Sequence, residues 1–282
     1  MGGDITGKAV VPLVKGCGGA YTSQFRRREV RLTTEAEVRS FVQKMRDMGF
    51  YPYLTDADEM EVLRQDEARA NQVFRLLMLE TVQRWVELAD ERLKGSGIRF
   101  FVIPGNDDDY CIDAALSGSV NVINLDGQVV RLDERHEILS LGFSNPTPWG
   151  TPRELTESEL ESRLEELAAQ VEDMESCVFN VHCPPFNSGL DECAELDGEL
   201  NVTYKAGHLV TKPAGSKAVR SALEKYQPLL GLFGHIHEGR GFNRIGRTLC
   251  VNPGSDYEEG ILNGCLLSLE KGKIQHFQLT AG

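Results

Sequence analysis

At 282 residues, 41% hydrophobic and 26% charged, this is an ordinary globular chain, long enough for one large α/β domain or two small ones. Its net charge of −13 argues against broad affinity for nucleic acid, whose phosphates attract Lys and Arg, but not against an anionic substrate, because a metal ion inverts the local field. Seven cysteines, odd in number and without C-x-x-C spacing, exclude a disulfide framework and read as reduced thiols of a cytoplasmic protein, and no apolar run approaches the length of a membrane span.

The chain opens MGGDITGKAVVPLV. Gly2 to Lys8 spells G-x-x-x-x-G-K, the beginning of a phosphate-binding loop, but the next residue is Ala9 where a Ser or Thr is needed, no strand precedes it and Pro12 interrupts the following helix. Gly2 with Thr6 also fits a myristoylation pattern, with no other sign of an anchor. Residues 16–33, Gly-rich and then basic through Arg26, Arg27 and Arg28, are expected to form a mobile loop. Thr34 and Glu37 form a capping box for a helix ending at Gly49, and a long helical stretch runs from about Asp58 to Lys94 with Phe74, Leu77, Val82 and Trp85 on its apolar stripe. Together, 34–95 read as a helical insertion, or cap, within a single domain spanning 1–282.

Further on, IRFFVIPG (98–105) predicts a buried strand, 120–143 a short antiparallel meander, and CVFNV (177–181) and LLGLF (229–233) two more buried strands. Thr156 with Glu159 caps a helix bearing Leu160, Leu164 and Leu167, and another helix starts near Ser216. Runs near 241–251, 262–269 and 273–280 read as tail strands. The expected class is α/β, with two packed mixed sheets and helices outside.

Chemistry concentrates where the buried strands end. The first runs into Gly105-Asn106-Asp107-Asp108, the second into His182-Cys183-Pro184-Pro185, and the third into Gly234-His235-Ile236-His237. Ligands of α/β sheets gather outside the carboxyl ends of strands. A mixed Asn, Asp and His set suits Mn²⁺, Fe or Zn²⁺ better than Ca²⁺ or a thiolate site.

In this order, Gly3-Asp4, Gly105-Asn106-Asp107-Asp108, His182 and Gly234-His235-Ile236-His237 resemble the motifs of the calcineurin-like metallophosphoesterase superfamily, and Asn252-Pro253-Gly254-Ser255 resembles the turn of its phosphodiesterase-like branch. The resemblance implies an αββα sandwich holding two divalent ions (Mn, Fe, Zn or Ni) and hydrolysis of a phosphate ester by metal-activated hydroxide. It implies metal ligation by Asp4, Asn106, His182, His235 and His237, with Asp4 bridging. The family's first motif, Asp-x-His on a first strand, is not found before Asp4, so one site (Asp4, Asn106, His182, His235) is complete and the other keeps Asp4 and His237. The expectation is that Met1 is an internal methionine of a longer protein and that the first strand is missing. The competing function is a catalytically incomplete, metal-dependent binding scaffold, with self-association covering the exposed sheet.

Asp107 stands where many members carry the His that helps protonate the leaving group, a departure associated with phosphodiester substrates. Asp108 is expected to orient a ligand or His182, Asp109 to begin a solvated helix where the dipole favours an acid, and Arg240 to meet the substrate's phosphate, with Arg26 to Arg28 a weaker candidate. The partners implied are a small phosphate ester and a second copy of the chain, with neither a membrane nor nucleic acid in general.

Overall fold

In the computed structural model, which describes residues 1–7 and 9–282, several sheets pack against one another and are flanked by helices. Lys8, on which the phosphate-loop reading depends, lies outside the described residues. A first group of strands, β1 (Val10–Lys15), β2 (Tyr21–Phe25), β3 (Arg28–Leu32) and β4 (Tyr51–Asp56), forms a sheet in the order β3-β2-β1-β4. Helix α1 (Glu35–Asp47) precedes β4, and α2 (Ala57–Gln65) and α3 (Glu67–Leu93) follow it. Next come β5 (Phe100–Val102), the short α4 (Asp113–Leu116), β6 (Val122–Asn124), β7 (Gln128–Arg131), β8 (Glu137–Leu141), α5 (Glu157–Ala168) and β9 (Cys177–Val181). Four short strands, β10 (Glu192–Ala194), β11 (Tyr204–Lys205), β12 (His208–Leu209) and β13 (Thr211–Pro213), precede α6 (Lys217–Tyr226). The chain continues as β14 (Leu230–Leu232), β15 (Gly241–Ile245), β16 (Thr248–Asn252), β17 (Asn263–Glu270) and β18 (Lys273–Ala281).

The principal sheet has the order β15-β16-β14-β9-β8-β7; its four inner strands are parallel and both edges antiparallel. Facing it are the parallel pair β5-β6, the antiparallel hairpin β17-β18, and Met1–Gly3, which runs beside β5 through a Gly2–Ile103 bridge. Between the sheets lie Ile103, Leu125, Val178, Leu230 and Val251, with Leu267 and Phe277 against them. Beyond the principal sheet, Leu160 and Leu164 of α5 and Val219 and Leu223 of α6 cover Leu139, Phe179 and Cys250. On the opposite side, Met78 and Val82 of α3 pack with Val102, Val122 and Tyr51. This double burial explains why 98–105 and 177–181 are apolar almost without interruption: successive residues of β9 enter different cores, Val178 one and Phe179 the other.

The caps read from the sequence at Thr34, Thr156 and Ser216 are present, each side chain accepting from the third residue of its helix. Elsewhere the chain departs from the expectation. Residues 16–33 are not a loop but chiefly the β2-β3 hairpin. The 34–95 stretch is not wholly helical, because β4 pairs in parallel with all six residues of β1; Pro52 and the polar Thr55 and Asp56 disguise it. The long helix is broken at Asp66, whose carboxylate accepts from Arg69 N at 3.0 Å and so starts α3 afresh. Of the expected meander only β7-β8 is a hairpin; β6 joins β5 in the opposite sheet. No helix among the described residues is long and apolar enough to cross a membrane.

Candidate metal centre

The carboxyl ends of β5, β9 and β14, together with the loop after Met1–Gly3, converge on one point. His182 follows β9, and its Nδ1 lies 2.8 Å from the carbonyl oxygen of Gly2. Donation of Nδ1–H to that carbonyl fixes the tautomer and leaves Nε2 as the ligating nitrogen. Nε2 is 3.0 Å from Asn106 Oδ1 and 3.3 Å from Asp4 Oδ2, and the residue is 1% exposed. Burial alone would lower the His182 pKa, but the charge of Asp4 and the hydrogen bonds to Asp4 and Gly2 hold it above the ordinary value.

His235 lies just beyond β14 in the left-handed region, φ 63°, and its Nδ1 is 2.7 Å from Asn106 Oδ1. Asn106 turns that oxygen toward both imidazoles because its Nδ2 donates to Thr151 Oγ1 at 2.8 Å. Asp4 is also left-handed, φ 46°, and its Oδ1 accepts from the Asp107 backbone at 3.0 Å. Two non-glycine residues in that region at one site mark backbone held against its preference, as functional sites often require. Gly105 has no room for a side chain: a Cβ there would lie 2.3 Å from Asp4 N and Oδ1.

Ligand atoms of Asp4, His182 and His235 all fall within 4.8 Å of one another. With the Asn106 oxygen, they present one carboxylate, one amide oxygen and two imidazoles. This set fits a borderline divalent cation such as Mn²⁺, Fe²⁺ or Zn²⁺, since a shared cation satisfies oxygen and nitrogen lone pairs that otherwise need protons between them.

The supporting residues lay largely beyond sequence reading. Asp108, fully buried, accepts from Ile5 N (3.0 Å), Thr6 N (2.9 Å), Thr6 Oγ1 (2.6 Å) and Gly105 N (2.7 Å), tying the Asp4 loop to the Asn106 loop. Burial, followed by the nearby Asp4 charge, raises its pKa. Arg153, 2% exposed, donates from Nε to the Asp108 carbonyl at 2.8 Å and from its backbone to that of Asn106 at 3.1 Å. Its Nη2 meets Asp113 Oδ1 at 2.6 Å. Asn252, at the expected Asn-Pro-Gly-Ser turn, donates to the carbonyls of Leu190 (3.1 Å), Gly234 (3.3 Å) and Ile236 (2.9 Å), framing the backbone on either side of His235. Asn252 had a sequence signal in its turn; Thr151 and Arg153 had none, because they belong to an aperiodic loop.

His237, Arg240 and Asp107 each make contacts of their own. The ring of His237 meets Tyr257 edge-on, 5.6 Å between centroids, and is not one of the three clustered ligands. Arg240 donates to the carbonyls of Pro253 (2.9 Å) and Thr280 (3.2 Å), fastening the turn to β18, because those carbonyls lie where its side chain ends. Asp107 borders Asn106, whose Nδ2 is 3.4 Å from its Oδ1. Asp109 caps a tight turn and pairs with Arg75 at 3.0 Å.

The fold and site together define an αββα sandwich carrying a metal-capable Asp-His-His group at its strand ends. The uncharacterized protein MJ1162 of Methanocaldococcus jannaschii is 30% identical over 178 residues, 62% of this chain and 70% of that protein, and this chain belongs to its family. No family model matches. One solved structure is aligned over 97% of both chains at 15% identity with a TM-score of 0.50, which supports the fold. TT1561 of Thermus thermophilus is 18% identical, covering 72% of this chain and 78% of its own, with a TM-score of 0.48.

Proposed function

We propose that this protein is a metal-dependent phosphoesterase of the metallophosphoesterase type, cytoplasmic and acting on phosphodiesters in preference to monoesters. The observation that carries the reading is the meeting of Asp4, His182 and His235 within 4.8 Å, around the Asn106 oxygen, at residues whose motifs follow the family's order. Asp4, Asn106, His182 and His235 would hold the cation. A divalent ion there supplies a water of lowered pKa and neutralises charge on the phosphoryl oxygens. The chain's own contribution is rigidity: the Asn106 amide and the His182 ring are each fixed by a second hydrogen bond. The diester preference rests on Asp107, which stands where many members carry the His that helps protonate the leaving group.

The test is hydrolysis of bis(p-nitrophenyl) phosphate and p-nitrophenyl phosphate with Mn²⁺ and after its removal by a chelator. Mn²⁺-dependent turnover favouring the diester is expected, and Asp4→Asn and His182→Ala should lose both bound metal and turnover. Full metal content in either variant would show that the ligands are assigned wrongly. A second reading, a one-metal binding scaffold, is favoured by the position of His237 against Tyr257, apart from the three-residue group. Elemental analysis after Mn²⁺ saturation separates the two: one ion without turnover supports the scaffold.

A further inference from the structure

The β2-β3 hairpin ends in a two-residue turn, Arg26-Arg27, flanked by the paired Phe25 and Arg28. Both turn residues are left-handed, φ 48° and 62°, where such hairpins ordinarily place Asn, Asp or Gly. The chain therefore accepts an awkward turn in order to put three consecutive arginines at one tip, although its acidic residues outnumber its basic ones by 43 to 30.

The tip is fastened to the segment that packs on His237. Arg26 Nη2 donates to the Glu258 carbonyl at 3.2 Å and lies 3.7 Å from the Glu258 carboxylate. Tyr257, next in the chain, meets the ring of His237, two residues beyond His235. Phe25 packs edge-on against Phe50 at 5.2 Å; a Cβ on the neighbouring Gly49 would lie 3.3 Å from the Tyr257 ring, and one on Gly7 would lie 2.0 Å from the Gly49 carbonyl oxygen. Arg26 is thus the anchor. Arg27 and Arg28 are exposed and have no ion-pair partner among the described residues.

We propose that Arg27 and Arg28 form an anion subsite on the rim of the Asp4–His182–His235 centre, and that the substrate is a small phosphate ester carrying a second phosphate group. The substrate class rests on the phosphoesterase reading. Guanidinium groups bind phosphate oxygens in pairs through planar, parallel N–H donors. In a chain of net charge −13, such a tip also concentrates small anions near the site, while the surrounding negative field opposes a long polyanion.

The experiment titrates adenosine 5′-monophosphate and adenosine 3′,5′-bisphosphate calorimetrically onto the Mn²⁺-loaded protein at fixed ionic strength. The bisphosphate is expected to bind at least tenfold more tightly. That advantage should vanish in the Arg27→Asn, Arg28→Gln double variant and persist in Arg64→Gln, a control on α2. Asn suits the left-handed turn, so lost binding in the double variant reports lost charge and not lost folding. A preference that survives the double variant, or no preference in the wild type, overturns the subsite. Hydrolysis of bis(p-nitrophenyl) phosphate, followed in parallel, keeps the two readings apart. Turnover without preference sinks the subsite alone; an arginine-dependent preference without turnover sinks the phosphoesterase reading and leaves the subsite standing.

Discussion

A Cβ placed on Gly3 would lie 2.1 Å from Nδ1 of His182. The backbone of Gly2 and Gly3 is pressed against the imidazole, with Gly3 at φ 105°, and this closeness lets the Gly2 carbonyl accept Nδ1–H at 2.8 Å. Any side chain at position 3 must push the ring away and spoil the aim of Nε2. Gly3→Ala should therefore weaken Mn²⁺ binding by roughly ten- to a hundredfold, the usual cost of losing an outer support of a metal ligand. Competition against a fluorescent chelator would measure it, with circular dichroism confirming the fold. Wild-type affinity in the variant would mean that the ring is held by something other than this contact.

The buried Asn252 is expected to matter for a different reason. Its amide nitrogen serves three carbonyls and its oxygen accepts from Gly254 N at 2.9 Å, so that one side chain organises the His235 turn and the turn after β16. Asn252→Ala should cost about 2 kcal/mol, because buried carbonyls lose a donor that water cannot easily replace. Asn252→Asp should be at least as harmful, since a carboxylate would face carbonyl oxygens. A urea midpoint lowered at unchanged slope is the expected signature, accompanied by weaker metal binding. An unshifted midpoint would rule the role out.

Arg240 has a role in the fold beside the phosphate contact that its position suggests. Reading position alone, an arginine three residues past His237 suggests a phosphate contact; in the fold, its two nitrogens hold Pro253 and Thr280. Arg240→Ala should then lower stability by about 1 kcal/mol and leave metal content at the wild-type level. If stability were unchanged while kcat/KM for a phosphate ester collapsed, the substrate role would be right after all.

How much was legible follows from the kind of signal each residue leaves. Val178 and Phe179 must be apolar because each face of β9 meets a core, and so the central strands and the ligands just after them were readable. Capped helices such as α5 were readable because Thr156 and Glu159 satisfy each other's backbone locally. Strand β4 was missed because YPYLTD owes its pairing to β1, about forty residues earlier, and not to any periodicity of its own. Thr151 and Arg153 were missed because a loop residue acquires its partner only when the chain closes: Thr151 reaches Asn106 across 45 positions. Asp108 stands in a motif, but its partners Ile5 and Thr6 adjoin a different one, far away in the chain.

The last prediction concerns acidity at His182, whose pKa stands above its ordinary 6.5 because Asp4 and the Gly2 carbonyl outweigh burial. A cationic group with a raised folded-state pKa stabilises the fold fully below its unfolded value, and that stabilisation is lost as pH rises through the folded value. The metal-free protein should thus lose stability as pH climbs from about 6.5. Metal affinity should run the other way, because Nε2 must shed its proton before it can ligate. Urea midpoints and Mn²⁺ titrations at successive pH values, with and without metal, would display the opposed slopes. His182→Gln should flatten the metal-free slope; if it left that slope unchanged, the pH dependence would belong to another group.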